Sequence, residues 1–170
     1  SFVSPGLLAY VIDMKYNYAL PFYRLSKKFE AIEMDISRAT LCNWSMLAAE
    51  KCDILYLAML DYIKSGSVIQ MDETTVQVLH EDGRAAETKS YMWVMRGGDI
   101  QKKLTIFNYS PTRNSGVPLV LLKGFKGFLQ TDGYEGYSKA VSEYKLTHVG
   151  CLAHIRRKFF DALKSDKKSK

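Results

Sequence analysis

Two carboxylates interrupt otherwise apolar, strand-like segments: Asp72 in Val68-Ile69-Gln70-Met71-Asp72-Glu73-Thr74-Thr75, and Asp132 in Phe128-Leu129-Gln130-Thr131-Asp132-Gly133-Tyr134. An ionised acid withdrawn from water is costly unless a cation, a hydrogen-bond network or a reacting group offsets the loss. These two positions are therefore where chemistry is to be sought. Hard divalent ions such as Mg²⁺ prefer carboxylate oxygen and keep several waters. Paired about 3.5–4 Å apart, they stabilise both the attacking and the leaving oxygen of an in-line phosphoryl displacement. A second reading stays open beside this one: Asp72 hydrogen-bonds Thr74 or Thr75, and Asp132-Gly133 is simply a turn. Side chains alternate along a strand, so Glu73 is expected to point away from Asp72 and to be a poor third ligand. Glu135, one helical turn beyond Asp132, is the better-placed candidate.

The elements that must position these acids follow from periodicity. Ser4 before Pro5 starts a helix expected to reach about Leu20. Pro21 opens a second helix with Phe22, Leu25, Phe29 and Ile32 on one face. Ser37 caps a third, whose apolar residues include Leu41, Trp44, Leu47, Ala48 and Leu55. Around Lys64-Ser65-Gly66-Ser67 the period changes from 3.6 to 2, placing a boundary between a helical unit, 1–66, and a sheet-containing unit, 67–170. Strands are expected over Val68–Leu79, Tyr91–Arg96 and Leu104–Tyr109, turning at Glu81-Asp82-Gly83-Arg84 and Gly97-Gly98-Asp99. There follow a helix (Asn114–Leu122), a strand (Gly127–Thr131), a helix (Tyr134–Tyr144), a strand (Leu146–Val149) and a helix (Leu152–Leu163). This βββαβαβα order is the layout of an α/β, ribonuclease-H-like mixed sheet, in which the first and fourth strands lie side by side and bring Asp72 and Asp132 together.

Composition bounds the class. A chain of 170 residues with 47% hydrophobic and 25% charged residues can bury a real core. No run approaches the roughly 18 apolar residues that cross a bilayer, and Ser1-Phe2-Val3-Ser4-Pro5 lacks a signal-peptide layout. Three widely spaced cysteines argue against a disulfide framework. The chain is read as cytoplasmic, with no membrane partner. Of the net charge of +6, residues 1–66 contribute nothing, with seven Lys/Arg against seven Asp/Glu, and residues 67–170 contribute all of it, with seventeen against eleven. Such a surplus favours a polyanion such as nucleic acid. The end Lys164–Lys170 reads as a solvated, frayed tail.

Further residues fit a nucleic-acid partner, each with a structural alternative. Arg156, Arg157 and Lys158 place three cations on a helix that begins near the acids, where a phosphodiester would lie; a solvated helix face explains them equally. Leu25–Phe29 followed by Ile36–Trp44 has the look of a helix-turn-helix, with Arg38, Thr40 and Asn43 facing a groove; the alternative is a helical hairpin with Trp44 in its core. Tyr134 and Tyr137 are candidates to stack on bases, or to be core aromatics. Cys151 and His154 form a C-x-x-H pair, two ligands where a zinc site needs more. His80 and His148 read as ordinary strand-end residues.

Four ordered motifs carry a resemblance: Asp72-Glu73-Thr74; Tyr109-Ser110-Pro111; Leu129-Gln130-Thr131-Asp132-Gly133-Tyr134-Glu135-Gly136-Tyr137; and Cys151-Leu152-Ala153-His154-Ile155-Arg156-Arg157-Lys158-Phe159. Together with Pro5–Ala9 and Leu20–Leu25 they resemble the insertion sequence 66 family of bacterial transposases over nearly the whole chain. The resemblance implies a DDE-type enzyme, with Asp72 and Asp132 as the first and second acids and Mg²⁺ or Mn²⁺ as a two-metal cofactor. Its partners would be the transposon-end and target DNA, a second copy bringing two ends together, and accessory proteins of the same element. It implies metal-assisted strand cleavage, then attack of the freed 3′-hydroxyl on target DNA. It also gives Cys151 and His154 a supporting role beside the site or the flanking DNA. The family's third acid, a Glu, is expected downstream of the last motif, so the chain reads as an internal fragment or a decayed copy. Two rival functions remain: a metal-dependent nuclease of the same fold, and a non-enzymatic DNA-binding or assembly fragment.

Overall fold

The computed structural model describes residues 3–168. Among the described residues, six helices and five strands follow as α1 (Pro5–Tyr16), α2 (Phe22–Glu30), α3 (Arg38–Ser65), β1 (Val68–Gln77), β2 (Lys89–Gly98), β3 (Lys103–Ser110), α4 (Gly116–Leu121), β4 (Phe128–Thr131), α5 (Ser138–Tyr144), β5 (Thr147–Gly150) and α6 (Leu152–Lys168), with a 3₁₀ turn at Glu135–Tyr137. The chain packs as two compact units, Ser1–Leu57 and Ala58–Lys170.

In the first unit, Ser4 Oγ accepts from the Leu7 N–H at 3.3 Å and Pro5 occupies the first turn of α1. The helix stops at Tyr16, short of the expected Leu20. Asp13 O takes the N–H groups of both Asn17 and Tyr18, Ala19 turns left-handed at φ 53°, and Pro21 biases Leu20 away from the helical region. Val11, Leu25, Phe29, Leu41 and Trp44 form the core of this unit. Ser37 Oγ accepts from the Thr40 N–H at 3.1 Å and caps α3. The expected placement of Ile32 on the apolar face of α2 is corrected, since it is exposed, and Leu47 and Leu55 of α3 are exposed as well. Helix α2 ends at Glu30, which leaves Ile32 in the turn after it, and only the Leu41–Trp44 side of α3 reaches this core.

In the second unit, the end of α3 lies against the β2–β3 turn. Ile63 is fully buried, Tyr62 donates its hydroxyl to Lys102 O at 2.8 Å, and a Cβ on Gly66 would stand 2.3 Å from Gly98 O. This approach explains why Gly97 and Gly98 belong to β2 instead of the expected turn, which closes later, from the Lys102 N–H to Asp99 O. The turn at Glu81–Arg84 is where expected, with Gly83 at φ 72°.

The strands form one mixed sheet in the order β3-β2-β1-β4-β5. Strands β1, β2 and β3 pair antiparallel, whereas β4 lies parallel to β1 and β5 parallel to β4. The single helix expected over Tyr134–Tyr144 is divided into the 3₁₀ turn and α5. Ile69, Met71, Trp93, Met95, Phe125, Leu129 and Tyr137 make the core. Each such side chain contributes on the order of 1.5–3 kcal/mol by leaving water.

Helix α6 runs through Lys168; Ser169 and Lys170, on which the expectation of a frayed tail also falls, lie outside the described residues. Among the described residues no helix is long and apolar enough to cross a membrane.

Candidate functional site

The parallel pairing of β1 with β4 sets Gln70 opposite Gln130, and their side-chain amides are hydrogen-bonded at 2.6 Å. Asp72 and Asp132 each follow two residues later. Alternation puts Asp72 on the Gln70 face of the sheet, and Asp132 follows directly after the end of β4.

Each acid has one oxygen tied to backbone. Asp72 Oδ1 accepts from the Glu73 N–H and Asp132 Oδ1 from the Tyr134 N–H, both at 2.9 Å. The second bond closes a turn over Gly133, whose φ of 89° suits glycine. The turn reading of Asp132-Gly133 therefore describes the backbone, and the bond expected from Asp72 to Thr74 or Thr75 is replaced by one to Glu73. The remaining oxygens face nitrogen groups: Asp72 Oδ2 lies 3.6 Å from His154 Nε2, and Asp132 Oδ2 lies 3.9 Å from Arg113 Nη2.

Glu73 lies on the opposite face of β1 and is only 1% exposed. Its Oε1 takes Arg113 Nε at 2.6 Å and Nη2 at 2.5 Å, and its Oε2 takes the Tyr137 hydroxyl at 2.5 Å. The Arg113 guanidinium stacks on Tyr134 at 3.8 Å, and the Tyr134 hydroxyl donates to Arg113 O. Burial lowers the Arg113 pKa, but the hydrogen bond and charge of Glu73 outweigh it and the net shift is upward. Burial, then the bond to Glu73, pushes the Tyr137 phenol far above its ordinary range.

These contacts correct one expectation and bear on another. Tyr137 is fully buried against Trp93 and cannot stack on a base, and Tyr134 already has Arg113 on its ring. Glu135 is exposed. Arg113 and the Gln70–Gln130 pair were missed in the sequence. The available signal was Glu73 itself, which alternation places on the face of Ile69 and Met71, where a carboxylate needs a cation.

Cys151 precedes α6, and its N–H bonds Thr131 O at 2.9 Å, which ties the start of the helix to the end of β4. The backbone N–H of His154, then its imidazole, lowers the Cys151 thiol pKa. His154 Nδ1 is buried and makes no full hydrogen bond. Arg157 and Lys158 line a cleft of about 290 Å³ with Asp132, Arg113 and His154. Arg156 instead places its guanidinium 4.7 Å from the Phe160 ring. In the other unit, Arg38 and Asn43 are exposed on the first turns of α3. Five residues apart, they lie about 140° around the helix and do not share a face.

Asp72 and Asp132 offer hard oxygen donors that suit Mg²⁺ or Mn²⁺, which are commonly held by one or two carboxylates plus substrate phosphates. Among the described residues no group of three or more His, Cys, Asp or Glu is gathered for a metal. By donor type each acid suits a hard cation, and the Cys151–His154 pair alone does not make a zinc site.

The family described as "Transposase IS66 family" matches residues 1–170. Two relatives from Sinorhizobium fredii (strain NBRC 101917 / NGR234) are similar. Uncharacterized protein y4qI is 29% identical over 91% of this chain and 31% of its own length. Uncharacterized protein y4jD is 29% identical over 94% and 33%. The chain thus spans about a third of these curated relatives. Among solved structures, the CryoEM structure of a simian T-cell lymphotropic virus intasome in complex with PP2A regulatory subunit B56 gamma is similar at 13% identity and a TM-score of 0.39, covering 51% of this chain and 32% of that one.

Proposed function

The chain belongs to the IS66 family of transposases, and from that premise we propose that Asp72 and Asp132 are the first two acids of a DDE site that cleaves and joins DNA strands. The single observation that carries this reading is the parallel pairing of β1 with β4 through Gln70 and Gln130, with Asp72 two residues further along β1 and Asp132 just past the end of β4. We take the sheet order, with three antiparallel strands followed by two parallel ones joined through helices, as a ribonuclease-H-like core. We take the helical residues Ser1–Leu57 as a separate domain, with the end of α3 belonging to the sheet-containing unit. The protein would act in the cytoplasm, with a second copy engaging the other DNA end.

Asp72 and Asp132 would hold Mg²⁺ or Mn²⁺, which when bound supplies charge stabilisation for in-line displacement at phosphorus. The chain's own residues do the rest. Backbone N–H groups fix one oxygen of each acid, so the free oxygens are preset. Arg157 and Lys158 line the cleft beside Asp132 and would hold a DNA phosphate there. Arg38 and Asn43, on different faces of α3, would make separate contacts at most.

The test is strand cleavage and strand transfer by a protein of the relatives' full length that carries this chain, on duplexes bearing the element's ends. Asp72→Asn and Asp132→Asn should each abolish both steps while DNA binding persists. Cleavage without joining by the unsubstituted protein would favour the nuclease reading, and retained cleavage in either variant would remove that residue from the site.

A further inference from the structure

A buried acid next to a cation site is an unusual neighbour unless something cancels its charge. Glu73 is such an acid: it adjoins Asp72 in sequence, faces the core, and receives three short bonds, two from Arg113 and one from Tyr137. Arg113 is held on every side. Glu73 grips its fork, Tyr134 lies under its plane, and its backbone carbonyl takes the Tyr134 hydroxyl. The guanidinium, though 38% exposed, still presents Nη2 to Asp132 Oδ2 at 3.9 Å, the oxygen that no backbone group holds.

We infer that Arg113 is a positioning residue for Asp132: locked by Glu73, it aims the free oxygen of that carboxylate, and Glu73 cancels its charge so that a divalent cation can still approach. The inference rests on the reading of Asp72 and Asp132 as the metal-holding acids. A lone guanidinium at 3.9 Å would satisfy Asp132 as a permanent counter-ion and repel a second cation. With Glu73 ionised, Arg113 and Glu73 are neutral as a pair, and Arg113 orients without competing. Arg is suited to this, because its planar fork can engage Glu73 through two nitrogens and still offer an edge to a second acid, which the single ammonium of lysine cannot do.

The test compares Mn²⁺ binding by this 170-residue chain, read by paramagnetic broadening, among the unsubstituted protein, Glu73→Gln, and Glu73→Gln with Arg113→Met. Gln keeps the shape and bonding of Glu73 but leaves Arg113 uncancelled, so Mn²⁺ should bind about tenfold more weakly or worse. Removing both charges should lift the repulsion and recover part of the affinity, but with Arg113 gone Asp132 is no longer aimed, so binding should stay about threefold or more below that of the unsubstituted chain. A second readout needs no variant of the pair: the Arg113 Nε–H resonance, held by Glu73, should shift on saturation with diamagnetic Mg²⁺, and Asp132→Asn should abolish the shift. Unchanged Mn²⁺ affinity in Glu73→Gln, a folded double variant either no better than the single one or as tight as the unsubstituted chain, or an unmoved Arg113 resonance at saturation would each overturn the inference while leaving the two acids in place. If the unsubstituted chain binds no Mn²⁺ at all, the site reading fails and the inference with it.

Discussion

Gln70 and Gln130 face each other across two parallel strands and join their amides at 2.6 Å, and this pair sets the level at which Asp72 and Asp132 emerge. A one-residue slip between β1 and β4 would move one acid to the far face of the sheet. The pair therefore ties the register of the two strands to the positions from which Asp72 and Asp132 project.

The cations of α6 should not be equivalent. Arg157 and Lys158 line the cleft that contains Asp132, whereas Arg156 lies on Phe160. Replacing Arg157 and Lys158 together with Ala should weaken binding of duplex DNA and reduce the slope of log affinity against log salt by roughly 2, since each phosphate contact contributes about 0.9. Arg156→Ala should leave that slope nearly unchanged. Equal effects of the three residues would point to a general charge effect instead of a contact in the cleft.

Tyr137 should make the protein lose stability in alkali. Its phenol is raised by burial and by Glu73, so the native state keeps a proton that the unfolded chain releases near the ordinary tyrosine value of about 10. Below that pH the contribution is fully present. Above it the unfolded state binds fewer protons than the native one, so stability falls as pH rises, by about 1.4 kcal/mol per pH unit for one such group. Tyr137→Phe should remove this slope in urea unfolding series between pH 10 and pH 11, and at neutral pH should cost about 1–3 kcal/mol, because Glu73 loses a donor while buried.

What the sequence made legible, and what it did not, follows one physical line. The order of strands and helices could be read where an element is long enough to show its period, as β1 is over Val68–Gln77, or is marked at its start, as α1 is by Ser4 and Pro5. Asp72 and Asp132 stood out because each is an acid in an apolar run. Errors fell where tertiary contacts decide. Ile32, Leu47 and Leu55 fit a helical pattern, yet lie exposed beyond the reach of the core that Trp44 anchors. Gly97 and Gly98 look like a turn, but allow α3 to approach β2. Arg113 sits in the Pro111–Asn114 connection with no period or motif around it, and only the fold shows that it answers the buried charge of Glu73. Tyr137 was weighed as a partner for bases, and burial makes it a partner for Glu73 instead.

The central claim is that Asp72 and Asp132 share one cation site, and a Mn²⁺ titration of the 170-residue chain against its Asp72→Asn and Asp132→Asn variants tests it most directly. Each single substitution should weaken saturable Mn²⁺ binding by about tenfold or more, while the folded state persists by circular dichroism. Either variant binding Mn²⁺ as tightly as the unsubstituted chain would contradict the account.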